Sequence, residues 1–489
     1  MDQRRIPLFF LVRRTVYFLF LLLLAGCTSR GQSPPETSVA AVAEENPLKA
    51  YVEKADSVFK FEPVRQIKSD GYTFHVLRMT SQEWLDSSLV EDPTWWHYVE
   101  IVIPDRASGN TGMLYIDGGT REDKIPDSPH PIPLQTALAT QSITARVHNV
   151  PNQPIYFDND NTGARYEDGI IAYGWRQFLE DGIKTKDTEW LSRLPMTKAA
   201  VRAMDAITVF TQSETGTAIE QFVVAGGSKR GWTTWTTAVT DERVVAIAPF
   251  VIDLLNLVPS FEHHWRTYGF WSPAVNDYVE EGIMEWQHSH EYRAMLDIVE
   301  PFSYHDQLTL PKLLINATGD EFFLPDSWRF YYPELEGEKH LRYVPNTGHS
   351  LSESDALQTF IAFYYGIVND RPRPTFDWRV ENDTIYISTS TDMPPSNITL
   401  WQAYNPEARD FRLPVLGKAY RASHIPLESD GKYQISVPVP DEGWRAFFVE
   451  LTFGDFAPTP FKSTTGVVVI PDQYPYPPYV SEDPQGTKD

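Results

Sequence analysis

The spacing of hydrophobic and polar residues changes along the chain and divides it into segments with different predicted structures. In residues 72–116 the apolar residues form short runs typical of strands, at 72–77, 96–103 and 113–116. After about residue 168, strand-like runs alternate with stretches of helical spacing. This alternation predicts an α/β domain with a doubly wound, mainly parallel sheet and helices on its faces. The strands are expected at 221–225, 244–248, 312–317 and 340–344, and the helices at 199–210, 232–239 and 355–368.

Residues 253–304 interrupt this alternation. The segment is rich in aromatic residues and shows no clear strand, and it lies between two predicted strands. We therefore expect a cap over the C-terminal edge of the sheet, within a domain that spans residues 47–370.

A second change occurs at Arg371-Pro372-Arg373-Pro374, where the prolines end the last predicted helix. The short alternating strands after it predict a C-terminal β-sandwich domain over residues 371–472 that folds on its own. Residues 473–489 are Pro-rich and polar, and we expect them to form a loose tail. The predicted strands of the sandwich are 384–388, 398–401, 433–437, 446–452 and 466–470.

The N-terminal segment has the features of a secretory signal. Four arginines precede an apolar run at 16–24, which is shorter than the roughly 20 residues of a membrane span. The run ends in Leu24-Ala25-Gly26-Cys27, which resembles a bacterial lipobox. We expect residues 1–27 to be a lipoprotein signal, Cys27 to be lipidated and residues 28–46 to be a flexible tether. The alternative is a plain signal peptide with an incidental Cys.

The export signal predicts a periplasmic or outer-membrane-associated lipoprotein, held to the membrane only by its lipid. The net charge of -24 argues against nucleic acid as a partner, because phosphate recognition needs clustered Lys and Arg. The single Cys excludes an internal disulfide and a cysteine-based zinc site.

Ser228 is the candidate nucleophile. It lies in Gly226-Gly227-Ser228-Lys229-Arg230-Gly231, between a predicted strand and a predicted helix. A Ser at such a turn is held in a strained backbone, and small neighbours let the flanking elements approach closely. The pattern departs from G-x-S-x-G because Arg230 stands at the second Gly position. A Ser-capped helix start is the alternative interpretation.

The acid and the base of such a site follow later strands in the order Ser, Asp, His. Asp320 follows strand 312–317 and His349 follows strand 340–344, so both are expected in loops at the same edge of the sheet. Glu321 and Asp326 are alternative acids, and His340 is an alternative base.

The oxyanion hole needs two N–H donors. The backbone of Lys229 would supply one, and Gly119 or Thr120, in a Gly-Gly loop after strand 113–116, would supply the other. Lys229 and Arg230 could also bind a substrate carboxylate or pair with surface acids. We assign Arg230, Trp232 and His264 as candidate substrate-binding residues. The spacing of the histidines indicates no metal site, and no cofactor is implied.

These motifs resemble the PhoPQ-activated pathogenicity-related protein family over about residues 48–472. The most specific stretches are Ser228-Lys229-Arg230-Gly231-Trp232 and Gly319-Asp320-Glu321-Phe322-Phe323. The resemblance implies an α/β-hydrolase core followed by a C-terminal β domain, and it implies no substrate. The family is named for its regulation, and one eukaryotic branch is known as a secreted proliferation repressor. The turn at Ser228 is also similar to the G-x-S-R-x-G pattern of glucuronoyl esterases. Further matching stretches are 194–200, 202–206, 253–256 and 344–350.

Two functions fit this sequence. The first is an exported serine hydrolase, an esterase or a peptidase, that acts on a small-molecule or peptide substrate in the cell envelope. The second is a non-catalytic or weakly catalytic envelope-binding, virulence-associated protein that uses the fold as a scaffold. The three catalytic residue types in the expected chain order favour the first. The sequence carries no sign of an oligomeric state.

Overall fold

The structure, a computed structural model, describes residues 46–185 and 187–487. The predicted signal segment, Cys27 and the predicted tether up to residue 45 lie outside the described residues. Asn46 caps the first helix, since its side chain accepts the N–H of Leu48 at 3.0 Å. The described residues form one compact unit. None of the helices in the described ranges is long and apolar enough to span a membrane.

The central element is a sheet of nine strands. They are β1 (Lys60–Ser69), β2 (Tyr72–Glu83), β3 (Thr94–Pro104), β4 (Thr111–Ile116), β5 (Thr144–Val147), β6 (Gln221–Gly227), β7 (Val244–Phe250), β8 (Lys312–Ala317) and β9 (Lys339–Val344). Their order across the sheet is β1-β2-β3-β5-β4-β6-β7-β8-β9. The pairs from β5 to β9 are parallel, and the pairs from β1 to β5 are antiparallel. The predicted mainly parallel sheet is confirmed.

Helices cover both faces of this sheet. Successive residues of β4 alternate between two apolar clusters, as in a strand that is buried on both sides. Leu114 belongs to the cluster that includes residues of the helices 193–215 and 229–240, and Met113 belongs to the cluster that includes residues of the helix 356–368. The helices are α1 (Pro47–Glu53), α2 (Pro131–Thr140), α3 (Glu167–Gln177), α4 (Ile183–Thr185), α5 (Arg193–Thr215), α6 (Lys229–Thr240), α7 (Leu257–Tyr268), α8 (Asn276–Glu280), α9 (His290–Val299), α10 (Ala356–Val368) and α11 (Leu413–Leu416).

The parallel strands place the candidate site. Because β4, β6, β8 and β9 run in the same direction, their carboxyl ends meet at one edge of the sheet. The loops after these strands carry Gly119, Ser228, Asp320 and His349 respectively. The fold therefore brings together four segments that are far apart in sequence.

The segment between β7 and β8 is helical. Residues 253–304 contain α7, α8, α9 and three short 3₁₀ helices, and no strand occurs in this range. Its apolar residues Leu257 and Met295 belong to the same cluster as the helices α5 and α6. The segment is therefore packed on the core and contributes to the wall beside Ser228.

Two antiparallel sheets follow α10. The first has the order β10-β11-β14, and the second has the order β13-β12-β15-β16 with β17 paired to β15. Ile385 of the first sheet and Phe447 of the second belong to one apolar cluster. The short strands predicted after residue 371 are present and pair antiparallel, and the position of a domain boundary near residue 370 stays a prediction. The strands are Phe376–Glu381 (β10), Thr384–Thr389 (β11), Asn397–Asn405 (β12), Arg421–Ile425 (β13), Lys432–Ile435 (β14), Trp444–Phe453 (β15), Phe461–Thr464 (β16) and Val468–Ile470 (β17).

The expected loose tail at 473–489 needs correction for its described part, 473–487. The Tyr474 hydroxyl bonds His263 Nδ1 at 2.9 Å, and the Tyr479 hydroxyl donates to Glu285 at 2.7 Å. The backbone N–H of residue 476 donates to the carbonyl of Arg266 at 3.1 Å. Proline-rich polar sequence indicated a loose tail, but these tyrosines and backbone groups fix it along residues 263–291.

Candidate active site

Ser228 lies in a sharp turn between β6 and α6. Its φ is 56° and its ψ is -123°, a conformation that a non-glycine residue adopts only when its surroundings hold it. The Ser228 N–H donates to the Phe250 carbonyl at 2.8 Å, and its own carbonyl accepts from Trp232 at 3.0 Å. A Cβ at Gly226 would lie 2.7 Å from the Arg230 carbonyl oxygen, and one at Gly231 would lie 2.9 Å from Ile252. Gly231 thus allows the close approach, although it stands one residue later than in G-x-S-x-G.

Asp320 and His349 form a hydrogen-bonded pair. His349 Nδ1 lies 2.8 Å from Asp320 Oδ2 and 3.0 Å from Oδ1. Asp320 Oδ1 also accepts the backbone N–H of Phe322 at 2.8 Å, and the Phe322 ring packs against the imidazole at 4.3 Å between centroids. The other ring nitrogen, Nε2, is buried and has no hydrogen-bond partner among the described residues. His349 is therefore oriented by a carboxylate at one nitrogen and available for proton transfer at the other.

The structure separates Asp320 and His349 from their alternatives. Glu321 accepts the backbone N–H of His349 at 2.7 Å, not the ring nitrogen. Asp326 is buried and pairs with Arg409 at 2.5 Å. His340 bonds the carboxylate of Glu338 at 2.8 Å, two residues before it. None of these three groups has the arrangement of an acid or a base beside Ser228.

Two cavities adjoin Ser228. The large cavity has a volume of about 370 Å³ and is lined by Ser228, His349 and mainly apolar side chains such as Phe250 and Leu357. The small cavity has a volume of about 40 Å³ and is lined by Ser228, by core residues and by the 253–304 segment. Ser228 and His349 therefore share one cavity wall, and Ser228 alone of the three triad candidates also faces the other cavity.

The three candidate oxyanion donors differ in whether their backbone N–H is already paired. Lys229 is the first residue of α6, where backbone N–H groups have no partner within the helix. The Thr120 N–H donates to Asp123 at 2.8 Å and is therefore not free for an oxyanion. The prediction of Thr120 as a donor is wrong. Gly119 stays a candidate, and its φ of 139° and a hypothetical Cβ only 2.4 Å from His148 require glycine there.

Lys229 and Arg230 do not present free charges to a substrate. Lys229 Nζ lies 3.0 Å from Glu167 and 2.9 Å from Asp168, and the Arg230 guanidinium lies 2.7 Å from Glu167. Arg230 also donates to the carbonyl of Val150 at 2.6 Å. Burial raises the pKa of Glu167, but the two cations overcome this effect and lower it to about 2. The expectation that Arg230 binds substrate is corrected to a structural ion pair.

Trp232 and His264 have different positions. Trp232 is buried, its indole N–H donates to the Val299 carbonyl at 2.7 Å, and it lines the small cavity. His264 is buried outside both cavity walls and accepts the N–H of Ser272 at 3.0 Å. Burial lowers the pKa of His264 to about 3, which keeps it neutral. His264 is therefore corrected to a structural residue.

Several residues of the site were not predicted. Tyr115, Leu351 and Glu353 line the large cavity, and Leu351 and Glu353 have positive φ. Asp168 lies in the wall of the small cavity. Phe322 and Phe323, which follow Asp320 and Glu321, belong to the predicted motif, but the sequence did not indicate that their rings contact His349. In residues 46–185 and 187–487 no group of three or more acidic, His or Cys side chains could hold a metal ion.

The strand-turn-helix at Ser228 and the chain order Ser, Asp, His at the carboxyl edge of the sheet are those of the α/β-hydrolase fold. Among solved structures, acetyl xylan esterase 1 from Thermoanaerobacterium sp. JW/SL YS485 matches with a TM-score of 0.43 and 12% identity, over 62% of this chain and 86% of that one. An acylaminoacyl peptidase from Pyrococcus horikoshii matches with a TM-score of 0.39 and 13% identity, over 65% and 51% respectively.

Sequence comparison gives a closer relationship. The chain is 36% identical over 469 residues to autocrine proliferation repressor protein A of Dictyostelium discoideum, which covers 90% of this chain and 93% of that protein. The profile of PhoPQ-activated pathogenicity-related proteins matches residues 48–412. These matches confirm the resemblance that the motifs indicated. This chain belongs to the PhoPQ-activated pathogenicity-related protein family.

Proposed function

We propose that this chain is a serine hydrolase that transfers the acyl group of an ester or a peptide to water. The observation that carries the proposal is the arrangement of His349. Its Nδ1 is held by Asp320, its Nε2 has no hydrogen-bond partner among the described residues, and His349 lines the same cavity as the strained Ser228. A nucleophile, a base and an orienting acid in this order form the minimal machinery for acyl transfer.

In the proposed reaction, Ser228 Oγ attacks the acyl carbon while His349 Nε2 takes the hydroxyl proton. The N–H groups of Lys229 and Gly119 stabilise the negative oxygen of the tetrahedral intermediate. His349 then gives the proton to the leaving group, and the acyl group stays on Ser228. A water molecule, deprotonated by His349, releases the acid and restores the serine.

The first test is labelling of residues 28–489, which include the whole compact unit, with a fluorophosphonate probe. We expect one adduct by intact mass, and none in Ser228→Ala. We also expect Ser228→Ala to lose at least about 10³-fold in ester turnover, because the nucleophile is removed. A folded wild-type protein that takes up no probe would contradict the proposal.

The second test distinguishes the two adjacent acids. Asp320→Asn should lower kcat by about 10³- to 10⁴-fold, because the amide cannot hold the imidazole in its reactive form. Glu321→Gln should retain most of kcat, since the amide oxygen can still accept the backbone N–H of His349 and the imidazole is held by Asp320. The reverse result would make Glu321 the acid.

Charge at the site bears on the class of substrate. The ion pairs of Lys229 and Arg230 with Glu167 and Asp168 neutralise the cations next to Ser228. This favours a substrate without a carboxylate near the reacting bond and speaks against the sugar-acid esters of glucuronoyl esterases.

A second candidate function comes from the relative named as an autocrine proliferation repressor. In that case the chain would act by binding, and the hydrolase fold would be a scaffold. The probe experiment separates the two. If wild type takes up the probe and Ser228→Ala no longer represses proliferation, the repression depends on catalysis. If Ser228→Ala still represses proliferation, the repression depends on binding.

We also propose that the protein is an exported lipoprotein anchored through Cys27 in the bacterial cell envelope. The support is the lipobox-like sequence after the apolar run. Metabolic labelling with a clickable palmitate should mark the full chain and not Cys27→Ser. Equal labelling of both would reject Cys27 as the lipid site.

A further inference from the structure

Ser228 separates two spaces of very different size. The large cavity of about 370 Å³ includes His349 in its wall, and the small cavity of about 40 Å³ does not. A covalent acyl intermediate on Ser228 would have its acyl chain on one side and would release its leaving group on the other. The position of His349 decides which side is which.

The leaving atom must receive a proton from His349 Nε2. It therefore lies within hydrogen-bond reach of that nitrogen, and the rest of the leaving group extends into the cavity that His349 lines. The acyl chain is left with the other space, the small cavity. We propose that the small cavity is the acyl pocket and that it restricts the enzyme to short acyl groups, of two to four carbons. This inference rests on the proposed serine hydrolase function.

The volume of the pocket sets the limit. A cavity needs about 10–15 Å³ to hold one water molecule, which is about the size of one non-hydrogen atom of an acyl chain. The 40 Å³ of the small cavity therefore hold about three or four non-hydrogen atoms. The carbonyl group itself stays at Ser228 and the oxyanion donors. An acetyl, propionyl or butyryl chain then fits, and an octanoyl chain does not.

The walls of the pocket cannot easily move. Trp232 is fixed by its bond to Val299 and by the Arg193 guanidinium, which stacks 4.4 Å from its ring centre. Phe322 is held between Asp320 and the His349 ring, so its displacement would disturb the catalytic pair. Enlargement of the pocket by a long chain would therefore act against both the core and the site.

The polar groups of the residues around this pocket lie behind a mainly apolar wall. Asp168 bonds Lys229 at 2.9 Å and the Tyr278 hydroxyl at 3.0 Å. Trp175 Nε1 and Arg193 Nε are buried, belong to residues of the wall, and have no hydrogen-bond partner within the described chain. The apolar wall suits a hydrocarbon chain, and the volume of the pocket, not its polarity, limits the length of that chain.

The test is kcat/KM for 4-nitrophenyl acetate, butyrate and octanoate, with residues 28–489. We expect wild type to prefer acetate or butyrate over octanoate by at least about 100-fold. Leu254 is a partly exposed residue in the wall of the small cavity, and Leu254→Ala would enlarge that cavity. This variant should raise the ratio of kcat/KM for octanoate to kcat/KM for acetate by about 10-fold or more. Leu254→Val should give a smaller shift in the same direction, which guards against a folding defect in the Ala variant.

Leu357→Ala is the matched control. Leu357 is also a partly exposed leucine, but it lines the large cavity. We expect it to change the rates of all three esters alike and to leave their ratios unchanged. A preference for octanoate in wild type, a ratio that shifts only in Leu357→Ala, or a labelled enzyme that does not hydrolyse acetate would overturn the acyl pocket. Fluorophosphonate labelling of each sample separates the proposals, because a failure to label Ser228 would overturn the catalytic mechanism as well.

Discussion

At the scale of single residues, Ser228 is held in a conformation that it does not prefer. A non-glycine residue in such a region costs about 1–3 kcal/mol, and the surrounding contacts must supply that free energy. Gly226 permits these contacts, since the absence of a Cβ lets β6 and the first turn of α6 approach each other at the Arg230 carbonyl. The strain is useful because it exposes Oγ at the carboxyl edge of the sheet.

Two adjacent glycines test this explanation. Gly226→Ala should destabilise the protein by about 1–3 kcal/mol, because its Cβ would lie 2.7 Å from a backbone oxygen. Gly227→Ala should change the free energy of unfolding by less than about 1 kcal/mol, since only Val251 lies within reach, at 3.9 Å. Urea denaturation of both variants measures the difference. Equal destabilisation would mean that the close approach at Gly226 is unimportant.

The sequence placed the three triad candidates at one edge of the sheet, but it did not reveal the partners of the residues around them. Ser228, Asp320 and His349 each follow a recognisable strand, so the geometry of a parallel sheet brings them to one edge. The partners of Thr120 and Arg230 were not predictable. Asp123 is close in sequence but gives no pattern, and Glu167 begins a helix that the hydrophobic spacing did not reveal.

At the scale of elements, Glu300 links the two ends of the segment 253–304. Its carboxyl, at the end of α9, accepts the N–H of Leu257 at 2.6 Å, at the start of α7. Burial raises the pKa of Glu300 to about 8. The folded protein therefore holds a proton there that the unfolded chain has already lost between about pH 5 and pH 8.

This has a defined effect on stability. Since the folded state binds more protons in this window, stability falls as the pH rises through it. Glu300→Gln keeps an oxygen that accepts the Leu257 N–H, and its amide does not titrate. The free energy of unfolding of this variant should therefore rise relative to that of wild type by about 1–3 kcal/mol between pH 6 and pH 9. Urea midpoints at both pH values measure it. A difference that does not depend on pH would show that Glu300 titrates normally.

The elements that the sequence predicted are those with strong hydrophobic spacing, such as β6, β8 and α5. The exposed strand β1 and the four-residue strand β5 were missed, because an edge strand has mixed burial and a short strand gives too few positions. The tail at 473–487 was misjudged for a different reason. It has no spacing of its own, and the groups that fix it come from residues 263–291.

The tail makes a prediction at this scale. The Tyr479 ring packs 4.6 Å from Trp265 and 5.1 Å from Trp271, and its hydroxyl bonds Glu285. Tyr479→Ala should lower the free energy of unfolding by about 1–3 kcal/mol and speed hydrogen exchange in α7. Tyr479→Phe keeps the ring and should lose only about 0.5–1.5 kcal/mol. A tail that does not contribute would leave both variants at the wild-type value.

At the scale of the whole molecule, the C-terminal sheets complete the core of the main sheet. β16 covers the edge strand β9, where the Tyr343 N–H donates to Thr464 at 3.0 Å. Arg342 of β9 is buried and pairs with Glu450 of β15 and, at 2.8 Å, with Asp355. Separation of the two parts would break the Arg342–Glu450 pair and uncover the apolar residues that the two parts share, although Arg342 would keep Asp355 and Glu450 would keep Lys462, at 3.1 Å.

The isolated fragment 371–472 should therefore not fold, although the sequence alone suggested an independent domain. Its sheets would expose apolar residues that pack in one cluster with α10, together with Glu450. We expect a disordered circular dichroism spectrum and rapid proteolysis for the fragment. In a chain of residues 28–489, the part after the predicted tether should resist protease and unfold in a single transition, because the C-terminal sheets and the main sheet share one apolar cluster. A protease-resistant fragment with its own cooperative unfolding would instead place a true domain boundary near residue 370, and the contacts of β16 with β9 would then be a docking surface between two independently stable domains.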